Sequence, residues 1–179
     1  MQSITGWLLI ICTLRVGWIL LSVASALADA QLLITIMKYK TEKEILDIVR
    51  GFETGTLPRN EFSHSSHLIV AMHYARLMPV EDAIEKMRAG LMNHLRHVGV
   101  DLTKEMPYHE TLTVFWTRTV AGFVKNKNGA GVLEIANELA ETFDKNYPNR
   151  FYSREFLFSD RARAEFVEGD LNTTGIFRS

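Results

Sequence analysis

Three of the six histidines stand where their imidazoles could bind a ligand or transfer a proton. His64 and His67 are three residues apart, which puts both on one face of a helix, and His109 lies at the start of a later helical pattern. Two imidazoles from one helix and a third from another make a metal-ligand set with one coordination position open. The only cysteine is Cys12, in the apolar first part of the chain, so the expected ligands are histidine and carboxylate and the expected metal is zinc, iron or manganese.

On helical wheels, these three histidines fall on the faces that are expected to point toward the interior. In the helix that begins near residue 64, His64 and His67 share a face with apolar residues, whereas His73 points the opposite way. In the helix that begins near residue 107, His109 lies in the middle of the apolar face. The apolar residues that define the faces are Leu68, Ala71, Ala75 and Met78 in the first helix and Leu112, Trp116, Val120 and Phe123 in the second. A buried imidazole needs a partner for each ring nitrogen, and a shared metal or ligand would supply one.

Two carboxylates accompany the histidines in sequence. Glu110 follows His109 directly, and Glu61 precedes His64 by three residues. Either carboxylate could complete a metal site or act as a general base beside it. Because Glu110 flanks an inward histidine, His109 and Glu110 are the candidate catalytic pair.

A structural role explains the same residues without any ligand. Each inward imidazole could hydrogen-bond a neighbouring hydroxyl or a main-chain carbonyl, and the His-x-x-His spacing recurs at His94 and His97, an ordinary pair at and beyond the edge of a core stripe. Two helix N-termini also carry partial positive charge, which repels a cation and favours an anion. The sequence therefore leaves open metal binding, acid–base or anion binding, and a purely structural cluster.

The elements that must position these residues are all predicted to be helical. Apolar residues recur at helical spacing, no stretch alternates with the period of a strand, and the four prolines fall at or between helical patterns. The patterns predict an all-α fold, a single bundle of about five main helices plus a short C-terminal helix, preceded by an apolar leader. The expected helices cover residues 42–53, 64–78, 80–98, 107–124, 132–144 and 160–167.

Composition limits the partners of the chain. Its 179 residues, 47% hydrophobic and 23% charged, suit one globular domain. The formal net charge of −1 provides no basic field that would attract nucleic acid. Nucleic-acid binding is therefore not expected, and a small molecule or a metal is the expected partner.

Residues 1–36 differ from the rest, since Arg15 and Asp29 are their only charges. They can be a secretory signal cleaved after Ala28, a membrane anchor through residues 7–28, or sequence upstream of a true start at Met37. Each of the first two interpretations meets an objection. A secretory signal would begin with only one basic residue, and a membrane anchor would place the charge of Arg15 near the middle of the membrane, which is costly. A start at Met37 implies a cytoplasmic all-α domain of residues 37–179; the other two interpretations imply a periplasmic, secreted or membrane-anchored protein.

Three blocks of sequence carry a recognisable pattern. They are the segment FSHSSHL at residues 62–68, YHETLTVFW at residues 108–116, and a last block made of FYS at 151–153, AR at 162–163 and FVEGDL at 166–171. These blocks resemble the aromatic-x-H-x-x-H-L, Y-H-E-T-x-T-x-F-W and Y-Y-S, A-R, W-V-E-P-D-L motifs of an uncharacterised family of small, all-helical bacterial proteins. Phe62 and Gly169 stand where that family usually has tryptophan and proline.

The resemblance indicates which residues could form a site, but it does not indicate a reaction. It covers residues 52–171, excludes the leader, and singles out the same three inward histidines. It adds Tyr108, Glu110 and Thr113 around the expected site, which implies that Tyr108 and Thr113 hydrogen-bond a ligand and that Glu110 orients a ligand or acts as a base.

The leading hypothesis is a helical protein that binds a metal or small molecule, with or without catalysis, at the starts of the second and fourth helices. His64, His67 and His109 would be ligands or acid–base groups. The alternative is a non-catalytic helical module that acts through protein contacts and uses the histidines as structural core groups. Imidazole nitrogens gathered within about 4 Å of one another would favour the first hypothesis, and histidines bonded separately to main chain would favour the second.

Overall fold

The computed structural model describes residues 37–171, apart from positions 103, 105, 106 and 128. The chain divides into two units, residues 1–40 and 41–179, and the second of them contains the predicted bundle. The predicted leader lies outside the described residues. None of the described helices combines the length and the hydropathy that crossing a bilayer requires.

All regular secondary structure in the described part of the chain is helical, which confirms the predicted all-α class. Five helices are substantial, and two short ones follow a 3-10 turn at Tyr147–Arg150. The α-helices are α1 (Glu42–Thr54), α2 (His64–Leu77), α3 (Val80–His97), α4 (Glu110–Lys125), α5 (Val132–Thr142), α6 (Arg154–Leu157) and α7 (Asp160–Ala164).

Side-chain caps fix the starts of several helices. The hydroxyl of Thr41 accepts a hydrogen bond from the Glu44 N–H at 3.2 Å, and that of Ser63 accepts one from the Ser66 N–H at 3.3 Å. Gly55 ends α1 with a φ of 71°, a left-handed conformation that glycine adopts without a Cβ clash. These three boundaries follow directly from residue types that are visible in the sequence.

The start of α4 differs from the prediction. The helix begins at Glu110 and not at Pro107, because His109 has an extended backbone and its side chain caps the helix. The short C-terminal helix likewise ends at Ala164, three residues earlier than expected, where Glu165 turns to an extended conformation. The residues after it, Phe166 to Leu171, are irregular, and the Leu171 N–H donates to the carbonyl of Phe151.

Helix α2 is the centre of the bundle and packs against α1, α3, α4 and α5. Five successive residues, from Leu68 to Met72, are buried, so this helix is covered on all sides at its middle. Helix α4 is similar, with every residue from Thr113 to Thr117 buried. The single apolar face predicted for each of these helices is therefore too narrow a description, because both have neighbours on several sides.

The segment after α7 returns to the start of α4. The hydroxyl of Thr111 donates to the carbonyl of Glu165 at 2.9 Å and accepts from the Val167 N–H at 3.2 Å. The hydroxyl of Tyr152 donates to the carbonyl of Val167 at 2.9 Å. A buried threonine and a buried tyrosine thus hold this irregular segment in place.

Candidate functional site

His64 lies in the first turn of α2 and points toward the end of α5. Its Nε2 is 3.1 Å from the carbonyl oxygen of Phe143, and its ring stands edge-on to Trp116 with centroids 4.6 Å apart. The imidazole therefore connects α2 with α4 and α5. Its Nε2 is engaged by main chain, which is the arrangement that the structural interpretation expects.

His109 is the N-cap of α4 and is buried. Its Nδ1 accepts a hydrogen bond from the Leu112 N–H at 3.3 Å, which fixes the proton on Nε2. Nε2 then donates to the carbonyl of Leu157 at 2.8 Å. Burial lowers the pKa of His109, so the neutral ring is favoured even though the Leu157 carbonyl opposes that shift. Both ring nitrogens are used to hold α4 and α6.

His67 differs from the other two predicted histidines. It lies one turn after His64 on α2 and is partly buried, yet its Nε2 is shielded from solvent and has no hydrogen-bond partner. Burial, together with the nearby His64, lowers its pKa to about 4, so the ring is neutral at neutral pH. A buried polar atom without a partner is uncommon in folded proteins.

The described residues contain no group of three or more His, Cys, Asp or Glu side chains arranged to hold a metal ion. His64 and His109 engage two different main-chain carbonyls, those of Phe143 and Leu157. The three predicted ligands are therefore not gathered into a ligand set in this part of the chain. Zinc, iron or manganese at His64, His67 and His109 stays a prediction.

Glu110 is buried at the start of α4, and its carboxylate is surrounded by donors. The Nε of Arg88 donates to Oε1 at 2.9 Å and to Oε2 at 3.2 Å, the Nη2 of Arg88 also donates to Oε1, and the Tyr108 hydroxyl donates to Oε2 at 2.5 Å. Burial alone would raise the pKa of Glu110, but the bonds from Arg88 and Tyr108 and the charge of Arg88 lower it overall. A carboxylate held in its ionised form is a weak proton acceptor, so this geometry suits an anchor for Arg88 better than a general base.

The residues that were expected to bind a ligand beside Glu110 are engaged within the protein. Tyr108 donates to Glu110, and burial with that hydrogen bond raises its pKa to about 12. The hydroxyl of Thr113 donates to the carbonyl of His109 at 3.0 Å. Arg88 was not predicted, because its partner is 22 residues away and no local pattern connects them. The one available signal was a carboxylate on an apolar helix face, which requires a cation nearby.

A second buried histidine with an unpartnered nitrogen lies on α3. His94 is only 3% exposed, and its Nδ1 has no hydrogen-bond partner. Its ring centroid is 4.6 Å from that of Phe62 and 5.9 Å from that of Phe52. Phe62 also faces His67, with ring centroids 6.0 Å apart. We call Phe52, Phe62, His67 and His94 the Phe62 cluster.

The sequence interpretation missed His94 as a site residue. On its helical wheel His94 lies at the edge of the core stripe of α3, where a histidine is usually half-solvated. Phe62, which covers it, precedes α2 in an irregular segment for which no periodic pattern predicts a contact.

The described part of the chain is therefore a helical bundle with two buried, unpartnered imidazole nitrogens. Comparisons with protein-family models, with curated proteins and with solved structures found no match.

Proposed function

We propose that this protein binds a small molecule through His67, and that His64 and His109 act as structural groups that hold the helices around it. The observation that carries the proposal is the shielded, unpartnered Nε2 of His67. Leaving a buried ring nitrogen without a partner costs about 1–3 kcal/mol, a cost that ligand binding would remove.

The roles of the neighbouring residues follow from their contacts. The Nε2 of His64 bonds the carbonyl of Phe143, and His109 bonds both the Leu112 N–H and the carbonyl of Leu157, so these three ring nitrogens serve the fold. Glu110 is held by Arg88 and Tyr108 and anchors the start of α4. No reaction is assigned, because His64, His109 and Glu110 are engaged in these bonds.

The test uses the untagged full-length chain, purified without denaturation. Native mass spectrometry would detect a co-purified small molecule, and a thermal-shift screen of small metabolites would detect one that was lost. His67→Phe should abolish the mass adduct or the shift, whereas His73→Phe, a change of the same type on the same helix, should preserve it. Binding that survives in His67→Phe would contradict the proposal.

Elemental analysis of the same samples tests whether a metal is bound. Near-stoichiometric zinc, iron or manganese that is lost in His67→Phe, His64→Phe and His109→Phe alike would replace the small molecule with a metal as the partner. A loss confined to His67→Phe would assign the metal to a site other than the predicted three-histidine set.

A second candidate is a non-catalytic module that acts through protein contacts. It is favoured by the main-chain bonds of His64 and His109 and by the exposure of large apolar side chains such as Leu77, which is 66% exposed. Under this interpretation Leu77→Lys would weaken association with a partner protein, and His67→Phe would leave that association unchanged.

A further inference from the structure

The unpartnered nitrogens of His67 and His94 belong to rings that both contact the side chain of Phe62. The Phe62 ring centroid lies 6.0 Å from that of His67 and 4.6 Å from that of His94. It also stacks on Phe52, with centroids 5.2 Å apart and planes 16° from parallel. A phenyl ring therefore contacts both imidazole rings and offers neither of them a conventional hydrogen bond.

The position of Phe62 allows its ring to move away from these imidazoles. It precedes α2 in an irregular segment whose residues from Pro58 to Glu61 are all exposed, and its own side chain is partly exposed. Phe52 and His94, by contrast, are almost completely buried and lie within α1 and α3, and His67 lies within α2. The fixed part of the cluster is thus Phe52 with the two histidines, and the part that can move is Phe62.

The surroundings also define the ligand. The ring contacts of both histidines are to phenylalanines, and both imidazoles are neutral at neutral pH because burial lowers their pKa values. A neutral, aromatic environment does not repay the desolvation of a charged molecule. A flat ring with polar groups on its edge would stack on Phe52 as Phe62 does and would also hydrogen-bond imidazole.

We propose that Phe52, His67 and His94 form one binding site for a small, uncharged, planar molecule with hydrogen-bonding groups on its edge, and that this molecule takes the place of the Phe62 ring. The inference rests on the proposed function, since it assumes that His67 meets a small molecule. It adds His94 as the second polar contact, Phe52 as the stacking surface and Phe62 as the group that is displaced.

Phenol and toluene are suitable probes, because they have nearly the same shape and only phenol has a hydrogen-bonding group. In the full-length chain, Phe62→Ala opens the proposed ring position. Phenol should bind this variant about tenfold more tightly than toluene, as expected when a buried, unsatisfied nitrogen gains a hydrogen bond. Calorimetric titration measures both affinities, and Phe62→Leu replaces Phe62→Ala if circular dichroism shows that the alanine variant is unfolded.

Histidine variants determine which nitrogens are responsible. The preference for phenol should fall in both Phe62→Ala/His94→Phe and Phe62→Ala/His67→Phe. Leu139→Ala is the control, since it opens space at another fully buried position, where an apolar cavity should bind toluene at least as well as phenol. Equal affinity of Phe62→Ala for phenol and toluene would overturn the inference.

The two proposals can fail separately. A preference that depends on His67 but not on His94 would overturn the two-histidine site and would leave small-molecule binding at His67 intact. In the wild-type chain, excess phenol should shift the ring-nitrogen resonances of both His67 and His94 in NMR spectra. If neither ring responds in the wild type, displacement of Phe62 is refuted.

Discussion

At the residue scale, Glu110 shows how the environment of a carboxylate decides its role. A glutamate beside a histidine suggested a catalytic pair, but the contact that Arg88 makes with it from 22 residues away cannot be deduced from local spacing. The sequence did indicate that Glu110 and His109 lie inside, and both are buried. Their distant partners, Arg88 and Leu157, could not be predicted, because these contacts depend on how α3 and α6 pack against the start of α4.

Glu110→Gln should destabilise the fold by about 1–3 kcal/mol, less than for a completely buried ion pair because Arg88 is partly exposed. Urea unfolding at pH 7 measures the loss. Glu85→Gln is the matched control, since Glu85 also pairs with Arg88 but its side chain is 71% exposed, and it should change stability by less than about 0.5 kcal/mol. Equal effects of the two variants would show that the buried Arg88–Glu110 pair stabilises the fold no more than the exposed Arg88–Glu85 pair.

His67 should make the stability of the fold fall as the pH is lowered from about 6.5 to 4. The folded chain keeps His67 neutral down to a pKa of about 4, whereas the unfolded chain binds its proton near the ordinary value of 6.5. Between these values protonation favours the unfolded state, and above both values the effect disappears. Urea unfolding at several pH values should give a shallower slope for His67→Phe than for the wild type.

His73→Gln, which removes an imidazole from the same helix, should keep the wild-type slope. Measurements between pH 7 and 5 separate the effect of His67 from that of Glu110. Because the pKa of Glu110 is lowered in the folded chain, its contribution to stability is complete above the pKa of the unfolded chain, about 4.3. That contribution is lost as the pH falls below this value. An unchanged slope in His67→Phe would mean that His67 is not kept neutral in the fold.

At the scale of elements, the sequence predicted helices well where caps and periodicity decide them. Helices α1 and α2, which Thr41, Gly55 and Ser63 cap, lie within one residue of the predicted ranges 42–53 and 64–78. The sequence did not predict that His109 caps α4. Histidine is an unusual cap, and proline, which stands at position 107, is common as the first residue of a helix. The 3-10 turn and α6 were also missed, because elements of four residues are too short to show a period.

Close packing between α1 and α3 gives a further prediction at this scale. A Cβ on Gly90 would lie 2.4 Å from Cε1 of Phe52, a ring that is completely buried. Gly90→Ala should therefore destabilise the fold by about 1–3 kcal/mol through overpacking, although alanine favours the helix itself. The change is measured by thermal and urea unfolding.

Gly122→Ala is the control for Gly90→Ala. Gly122 lies in α4, and a Cβ there would meet no atom within 4 Å. Only the helical preference of alanine then acts, so Gly122→Ala should stabilise the fold by up to about 1 kcal/mol. Two stabilising substitutions would indicate that α1 and α3 are not held together at Phe52 as described.

At the scale of the whole molecule, Thr111 connects the start of α4 with the last described segment of the chain. Thr111→Val removes both hydrogen bonds of this hydroxyl and leaves the N–H of Val167 without a partner, which should cost about 1–3 kcal/mol. Hydrogen exchange should show faster exchange of the Val167 amide. Thr113→Val is the matched control, because the buried hydroxyl of Thr113 donates to the carbonyl of His109, the N-cap of the same helix, and not to the segment after α7.

The Thr111 contacts also have a consequence for the order in which the newly made chain can fold. The two partners of Thr111 lie 54 and 56 residues later in the sequence. At a synthesis rate of roughly 5–20 residues per second, the ribosome needs roughly 3–11 s to add the 56 residues between Thr111 and Val167. During that interval the hydroxyl of Thr111 lacks both of its hydrogen-bond partners, so this part of the nascent chain would be accessible to chaperones until the later segment packs on it.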